Sequence, residues 1–187
     1  IACFLAGSGP DAAADQFVGI PAGEFAEHYR PQRAARWCWA SCLEMALSYV
    51  GIAVSQEDLV ARGGDRAGRL GALPSDVIRS ANGLFETTCG VPALVSGQFV
   101  AGAPPAAVLY NHLRRRAPAI LLYERDQGDG HAVLVTGIEV ASDPEHGIAV
   151  TSLHVFDPSL GAADLGGLAS DGRAYRRVFA VAPGTGG

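Results

Sequence analysis

Gln32-Arg33-Ala34-Ala35-Arg36-Trp37-Cys38-Trp39-Ala40-Ser41-Cys42-Leu43-Glu44-Met45-Ala46-Leu47-Ser48-Tyr49-Val50-Gly51 is the stretch on which the fold turns. Leu43, Ala46 and Leu47 recur at helical spacing, Val50 follows one turn on, and Gly51 supplies a stop. The pattern predicts a helix over about Cys38–Val50. Cys38 then stands at the helix start, where the partial positive charge of unpaired N–H groups favours an anion. Flanked by Trp37 and Trp39, a cysteine so placed is either a core residue or a nucleophile, the reactive form of cysteine being the thiolate. Cys42 lies one turn further along the same face and is expected to point inward as a small core residue. Trp39 reads as core beneath the site.

Working outward, Ser55-Gln56-Glu57-Asp58 has the form of an N-cap followed by an acidic first turn, and opens a short helix ending near Gly63-Gly64. A third helix follows Ser75 and stops at Gly83. Pro104-Pro105 introduces a fourth through about Arg115, with Arg114-Arg115-Arg116 suited to the negative helix end and to solvent. The hydrophobic period then changes. Ala119–Tyr123, His131–Val140, Ile148–Phe156 and Arg176–Val181 read as strands separated by turn-rich stretches, with a long loop over Gly161–Asp171. Helices first and strands second is an α+β layout with segregated halves. Residues 1–24 are rich in small residues and aperiodic, which predicts a tail lying loosely on the surface.

Composition limits what such a domain does. Its 187 residues suffice for one domain with a real core. Hydrophobic residues at 49% against charged residues at 18% exclude a disordered chain. No apolar run is long enough to span a bilayer. A net charge of −5, without a basic stripe, gives nucleic-acid binding no electrostatic support. Cys3, Cys38, Cys42 and Cys89 form no C-x-x-C pair, and the histidines add no zinc spacing, so neither metal nor cofactor is expected. A single bridge such as Cys42–Cys89 stays open. Ile1-Ala2-Cys3 fits the tail of a bacterial lipoprotein signal and Phe4–Gly7 that of a secretory h-region. Both point to an exported protein, whether secreted, periplasmic or delivered to a host cell.

Two further motifs bear on Cys38. In Gly128-Asp129-Gly130-His131-Ala132-Val133-Leu134-Val135 a histidine opens an apolar strand after a glycine loop. In Val155-Phe156-Asp157-Pro158 an aspartate closes the next strand, and Pro158 ends it. Gln32 precedes Cys38 by six residues. With Gln32, Cys38, His131 and Asp157 in this order, the sequence resembles the papain-like cysteine peptidases. Cys38–Gly51 and the acidic-capped Ser55–Gly63 helix are closer still to the C39-like bacterial branch, which includes the domains that remove double-glycine leaders from exported peptides. The Gln and Cys-Trp-Ala features are also similar to the C70-type effector peptidases. The resemblance covers about residues 30–64 and 130–161. It implies a single papain-like domain, with a helical half (about 25–103) holding Cys38 and facing a mainly β half (about 104–187) that holds His131 and Asp157.

The resemblance also implies roles. Cys38 is the nucleophile and His131 its base. Asp157 orients the imidazole, and Gln32 with the Cys38 N–H donates to the oxyanion. The substrate implied is a peptide or protein. The sequence departs from papain and the cathepsins in three ways. Cys38 and His131 are closer in sequence than the about 130–150 residues usual there. Trp37 replaces a small residue before the nucleophile, and Asp157 stands where those enzymes carry Asn. Other candidates read as structural: His154 as a sheet residue with a satisfied ring, and His28, His112 and His146 as solvated. Cys89, in a turn-like stretch, has no evident partner. Two alternatives share the same residues. One is acyl transfer or amidase chemistry, since an amine resolves an acyl-enzyme as readily as water. The other is a non-catalytic C39-like domain that only binds peptides. No ATPase or transporter follows in this sequence, so coupling to export within one chain is not expected.

Overall fold

The helix read from residue 38 onward forms as α2 (Cys38–Tyr49), and Cys38 is its first residue. It is buried from Cys38 through Met45 and again at Leu47, so it is a central rather than a one-sided helix. The computed structural model describes residues 16–124, 129–143, 147–159 and 175–179. Around α2 lie α1 (Ala22–Phe25), a 3-10 turn (Ala26–His28), α3 (Gln56–Gly63), α4 (Asp65–Leu70) and α5 (Pro74–Ala81). Ser55 caps α3 as its sequence predicts, its hydroxyl oxygen accepting from the Asp58 N–H at 3.1 Å. Gly63 is required by packing. A Cβ there would stand 2.9 Å from Ser80 Oγ and 3.0 Å from the Trp39 ring.

The second half is the expected antiparallel sheet. β5 (Gly130–Asp143) is its centre. On one side it pairs with β4 (Ala119–Glu124) along its first half and with β1 (Gln16–Gly19) along its second. On the other side lies β6 (Gly147–Phe156), followed by β7 (Tyr175–Phe179). Both faces of β5 are covered. Ala132 and Leu134 pack with Trp39, Met45, Phe25 and Phe156 on the helical side. Val133 and Val135 pack with Leu113 of α6 (Ala106–Arg114) on the other. Alternation of this kind is the two-residue period of a strand buried on both faces. Each fully buried large side chain, such as Phe25, Phe156 or Met45, contributes about 1.5–3 kcal/mol.

Several expectations are corrected. Residues 16–24 are not a loose tail: β1 adds to the sheet, with Val18 buried and Ile20 fully so. The helical half also contains a hairpin, β2 (Gly83–Glu86) with β3 (Pro92–Val95). The loop expected over residues 161–171 and His146 fall outside the described residues. Cys42 and Cys89 are free thiols, the first buried and the second exposed, so no bridge joins them. His28 is not freely solvated. Its Nδ1 meets Ser48 Oγ at 3.0 Å, and its ring lies edge-on to Tyr49. Among the described residues no helix is long and apolar enough to cross a membrane.

Candidate active site

The site forms where the start of α2 meets the start of β5 and the end of β6. Phe156 pairs with Leu134, so Asp157 leaves the ladder within reach of His131 near the beginning of β5. His131 Nε2 lies 2.9 Å from Asp157 Oδ1, and both side chains are buried. A carboxylate only accepts, so Nε2 carries the proton and Nδ1 is the nitrogen left for Cys38. Burial acts against the imidazolium. The bonds to Asp157 and Cys38, with the charges on both, outweigh it and raise the His131 pKa to about 9. For Asp157 burial pushes upward, yet hydrogen bonds from His131 and Ser159 hold the carboxyl far below the usual carboxylate range. Cys42, one turn from Cys38, is fully buried, and that burial raises its thiol well above the ordinary value.

Ser159 was not singled out by its sequence context. Its N–H and its hydroxyl donate to Asp157 Oδ1 at 2.9 and 2.7 Å, an Asx-type turn. The available signal was the turn-forming Asp-Pro-Ser itself. Tyr29 donates its hydroxyl to the Asp157 carbonyl at 2.9 Å, fixing the backbone on which the carboxylate sits.

Gln32 is brought to the same place by its main chain. Its N–H donates to the Pro158 carbonyl at 2.9 Å. Its side-chain Nε2 donates to Ala34 O at 3.0 Å, and that oxygen also accepts from the Trp37 N–H at 3.2 Å. One amide hydrogen is thereby committed to the turn that leads directly into Cys38, and the second is left over. No side chain caps the α2 N-terminus. The first N–H groups of a helix have no intrahelical acceptor, so that of Cys38 is a ready donor to an anion. The turn before it is tight: Arg36 takes the left-handed region at φ 68°. α4, which the sequence reading missed, holds this turn. Trp37 Nε1 donates to Gly68 O at 3.0 Å and Arg36 to Leu70 O at 3.2 Å. Beside Trp37 runs an open groove lined by Val60, Ala61, Asp65, Gly68 and Arg69.

Across the site, Tyr123 of β4 is the register partner of His131 and stands edge-on to its ring at 5.6 Å, 41% exposed. Trp39 is core, as expected. His154, the register partner of Gly137, meets Glu139 Oε1 at 3.2 Å rather than Asp157 or Cys38. His112 is exposed on α6.

A thiol at an uncapped helix start, an imidazole that interacts with it and with a carboxylate, and an amide donor on the segment leading into that helix can together form a thiolate–imidazolium pair with oxyanion donors. No curated protein matches the chain. Its sequence does match the Peptidase_C39 like family over residues 26–161, a span that takes in Gln32, Cys38, His131 and Asp157. With most of its length in that match and a papain-like α+β fold around it, the chain belongs to the Peptidase_C39 like family.

Proposed function

We propose that the protein is a cysteine peptidase that cleaves peptide bonds through a thioester acyl-enzyme, using Cys38, His131 and Asp157 as its triad and Gln32 as oxyanion donor. The observation that carries this reading is the buried His131 ring, bonded through Nε2 to Asp157 at 2.9 Å and also held in its raised pKa by the neighbouring Cys38 side chain. The Cys38 thiolate adds to the scissile carbonyl carbon, and the carbonyl π pair moves onto oxygen. The Cys38 N–H and the free Gln32 amide hydrogen meet that charge, each donor being worth about 2.7–4 kcal/mol. Collapse breaks the C–N bond as His131 protonates the leaving amine. Water, losing its proton to His131, then opens the thioester and frees the acid and the thiol. Asp157 keeps Nε2 protonated and stabilises the imidazolium throughout.

The substrate is a peptide or protein segment lying between the helical half and the sheet, and the peptidase unit is one domain. Neither a cofactor nor a nucleic acid enters the reaction. The test is a peptide-library cleavage screen with wild-type protein and Cys38→Ala, read by mass spectrometry, with trapping of the acyl-enzyme on Cys38. Cleavage by wild type, its loss in Cys38→Ala and an acyl mass on the Cys38 peptide are the expected results. Equal cleavage by both proteins refutes the assignment. Transfer of the acyl group to an added amine in preference to water would instead assign an acyltransferase.

A further inference from the structure

We propose that Gln56 is a positioning residue for the oxyanion donor: its buried amide clamps the two peptide groups that flank Gln32. The inference rests on the peptidase reading above. Gln56 is the first residue of α3, where a polar side chain ordinarily faces water, yet it is fully buried. Its Nε2 donates to Pro31 O at 3.0 Å, and its Oε1 accepts from the Arg33 N–H at 2.9 Å. The second Nε2 hydrogen goes to Glu44 Oε2 at 2.7 Å. Both Nε2 partners are acceptors and the Oε1 partner is a donor, so the amide has one sensible orientation.

The geometry joins the two halves of the oxyanion hole. Glu44 belongs to α2, the helix whose first residue is Cys38, and is itself 8% exposed. Residues 30–33 are irregular and none of their peptide groups pairs with another of the four, so partners come from elsewhere. Gln56 supplies it on both sides of Gln32, and Glu44 ties Gln56 to the nucleophile's helix. Ser41 of α2 holds the same segment one step earlier, donating to Arg30 O at 2.6 Å. An apolar residue at 56 would fill the core without fixing Gln32. The buried polar pair fixes where the Gln32 side chain starts, and hence where its free amide hydrogen points.

Two small probes separate this from general structural support. p-Nitrophenyl acetate acetylates Cys38 through an oxyanion: the thiolate adds to the carbonyl and p-nitrophenolate leaves. Iodoacetamide alkylates the same sulfur by displacement, the C–S bond forming as C–I breaks and iodide leaves, with no oxyanion. Rates are measured on the full chain from the mass of the Cys38 peptide. Gln56→Met should lower the acetylation rate roughly tenfold, as a misplaced donor would, and leave alkylation within about twofold. In a Gln32→Ala background the same change should cost less than about twofold, because the two residues act as one unit. If near-UV circular dichroism shows Gln56→Met unfolded, Gln56→Asn takes its place, polar but too short to reach both peptide groups. Three results overturn the proposal: unchanged acetylation in a folded variant, equal loss in both reactions, or an undiminished loss in the Gln32→Ala background. Wild-type acetylation by Gln32→Ala alone would instead overturn the oxyanion role of Gln32, so the two failures are told apart.

Discussion

Removing the Asp157 carboxylate should move the titration of His131 by more than any other single change in the site. The ring titrates at about 9, against 6.5 for a free histidine, although burial alone would take it below 6.5. Asp157 supplies both a hydrogen bond at 2.9 Å and a negative charge. Without them, burial and the remaining Cys38 contact act alone, and the midpoint should return to about 6.5 or lower. At pH 8 a midpoint of 9 keeps about nine rings in ten protonated, whereas 6.5 keeps about one in thirty, a loss of roughly 30-fold in the active pair. The assay is a titration of the His131 ring C–H signals by NMR in wild type and Asp157→Ala, paired with kcat and KM for a cleaved peptide. The alkaline limb of the rate should move with the NMR midpoint, with kcat falling and KM little changed. Asp157→Asn should be milder, since its amide oxygen still accepts from Nε2–H. A midpoint in Asp157→Ala within half a unit of wild type would refute the reasoning.

Three other outcomes follow from the same geometry. If Gln32 serves the oxyanion as proposed, Gln32→Ala should lower kcat by about 10²–10³ with the shape of the pH profile retained; a shifted profile would reassign it. Stability should depend on pH with a definite sign. His131, whose folded value is raised from 6.5 to about 9, contributes about 3 kcal/mol below pH 6.5 and loses it as pH rises through 9. Asp157, depressed when folded, contributes above the ordinary carboxylate range and loses its share as pH falls below it. Urea midpoints across pH 2–10, with Asp157→Ala as the control, check both limbs. Gly63→Ala should lower stability by about 1–3 kcal/mol, because its Cβ would press on Ser80 and Trp39. A thermal midpoint equal to wild type would show that α3 shifts freely.

How much of this was readable beforehand follows from how local each signal is. α2, the Ser55 cap and the three long strands carry their own periodicity or capping chemistry. Their bounds lie close to those expected. β1 carries no such signal, because its four residues acquire strand geometry only from Gly137–Val140, far along the chain. α4 was hidden by Gly63-Gly64, which reads as a stop. In fact Gly64, at φ 91°, is a corner from which the next helix starts at once. Cys38, His131 and Asp157 could be singled out because each stands at the edge of a predicted element, whereas Gln32 stood out only by its six-residue spacing to Cys38 and the resemblance that spacing carries. Gln56 and Glu44 could not. A glutamine after an N-cap and a glutamate within a helix both look solvent-facing, and only the packing of α3 on α2 turns them inward.

The two halves of the site are registered through one dipeptide. Tyr29 donates to the carbonyl of Asp157, and the Gln32 N–H donates to the carbonyl of Pro158, each at 2.9 Å. Both donors come from the segment that leads into α2, and both acceptors belong to the turn that carries the Asp157 carboxylate. Any sliding of the helical half against the sheet must therefore break two main-chain carbonyl bonds, not merely rearrange side chains. Since Oδ1 of the same Asp157 also takes both Ser159 donors, the carboxylate is held from its own turn as well. The order of coupling follows. The Ser159 hydroxyl acts on His131 only by holding Asp157, and it is one of three donors on that oxygen. Ser159→Ala should lower kcat far less than Asp157→Ala, by about three- to tenfold, with a smaller downward shift of the His131 midpoint. A Ser159→Ala loss as large as that of Asp157→Ala would mean that the turn, and not the carboxylate, sets the position of the base.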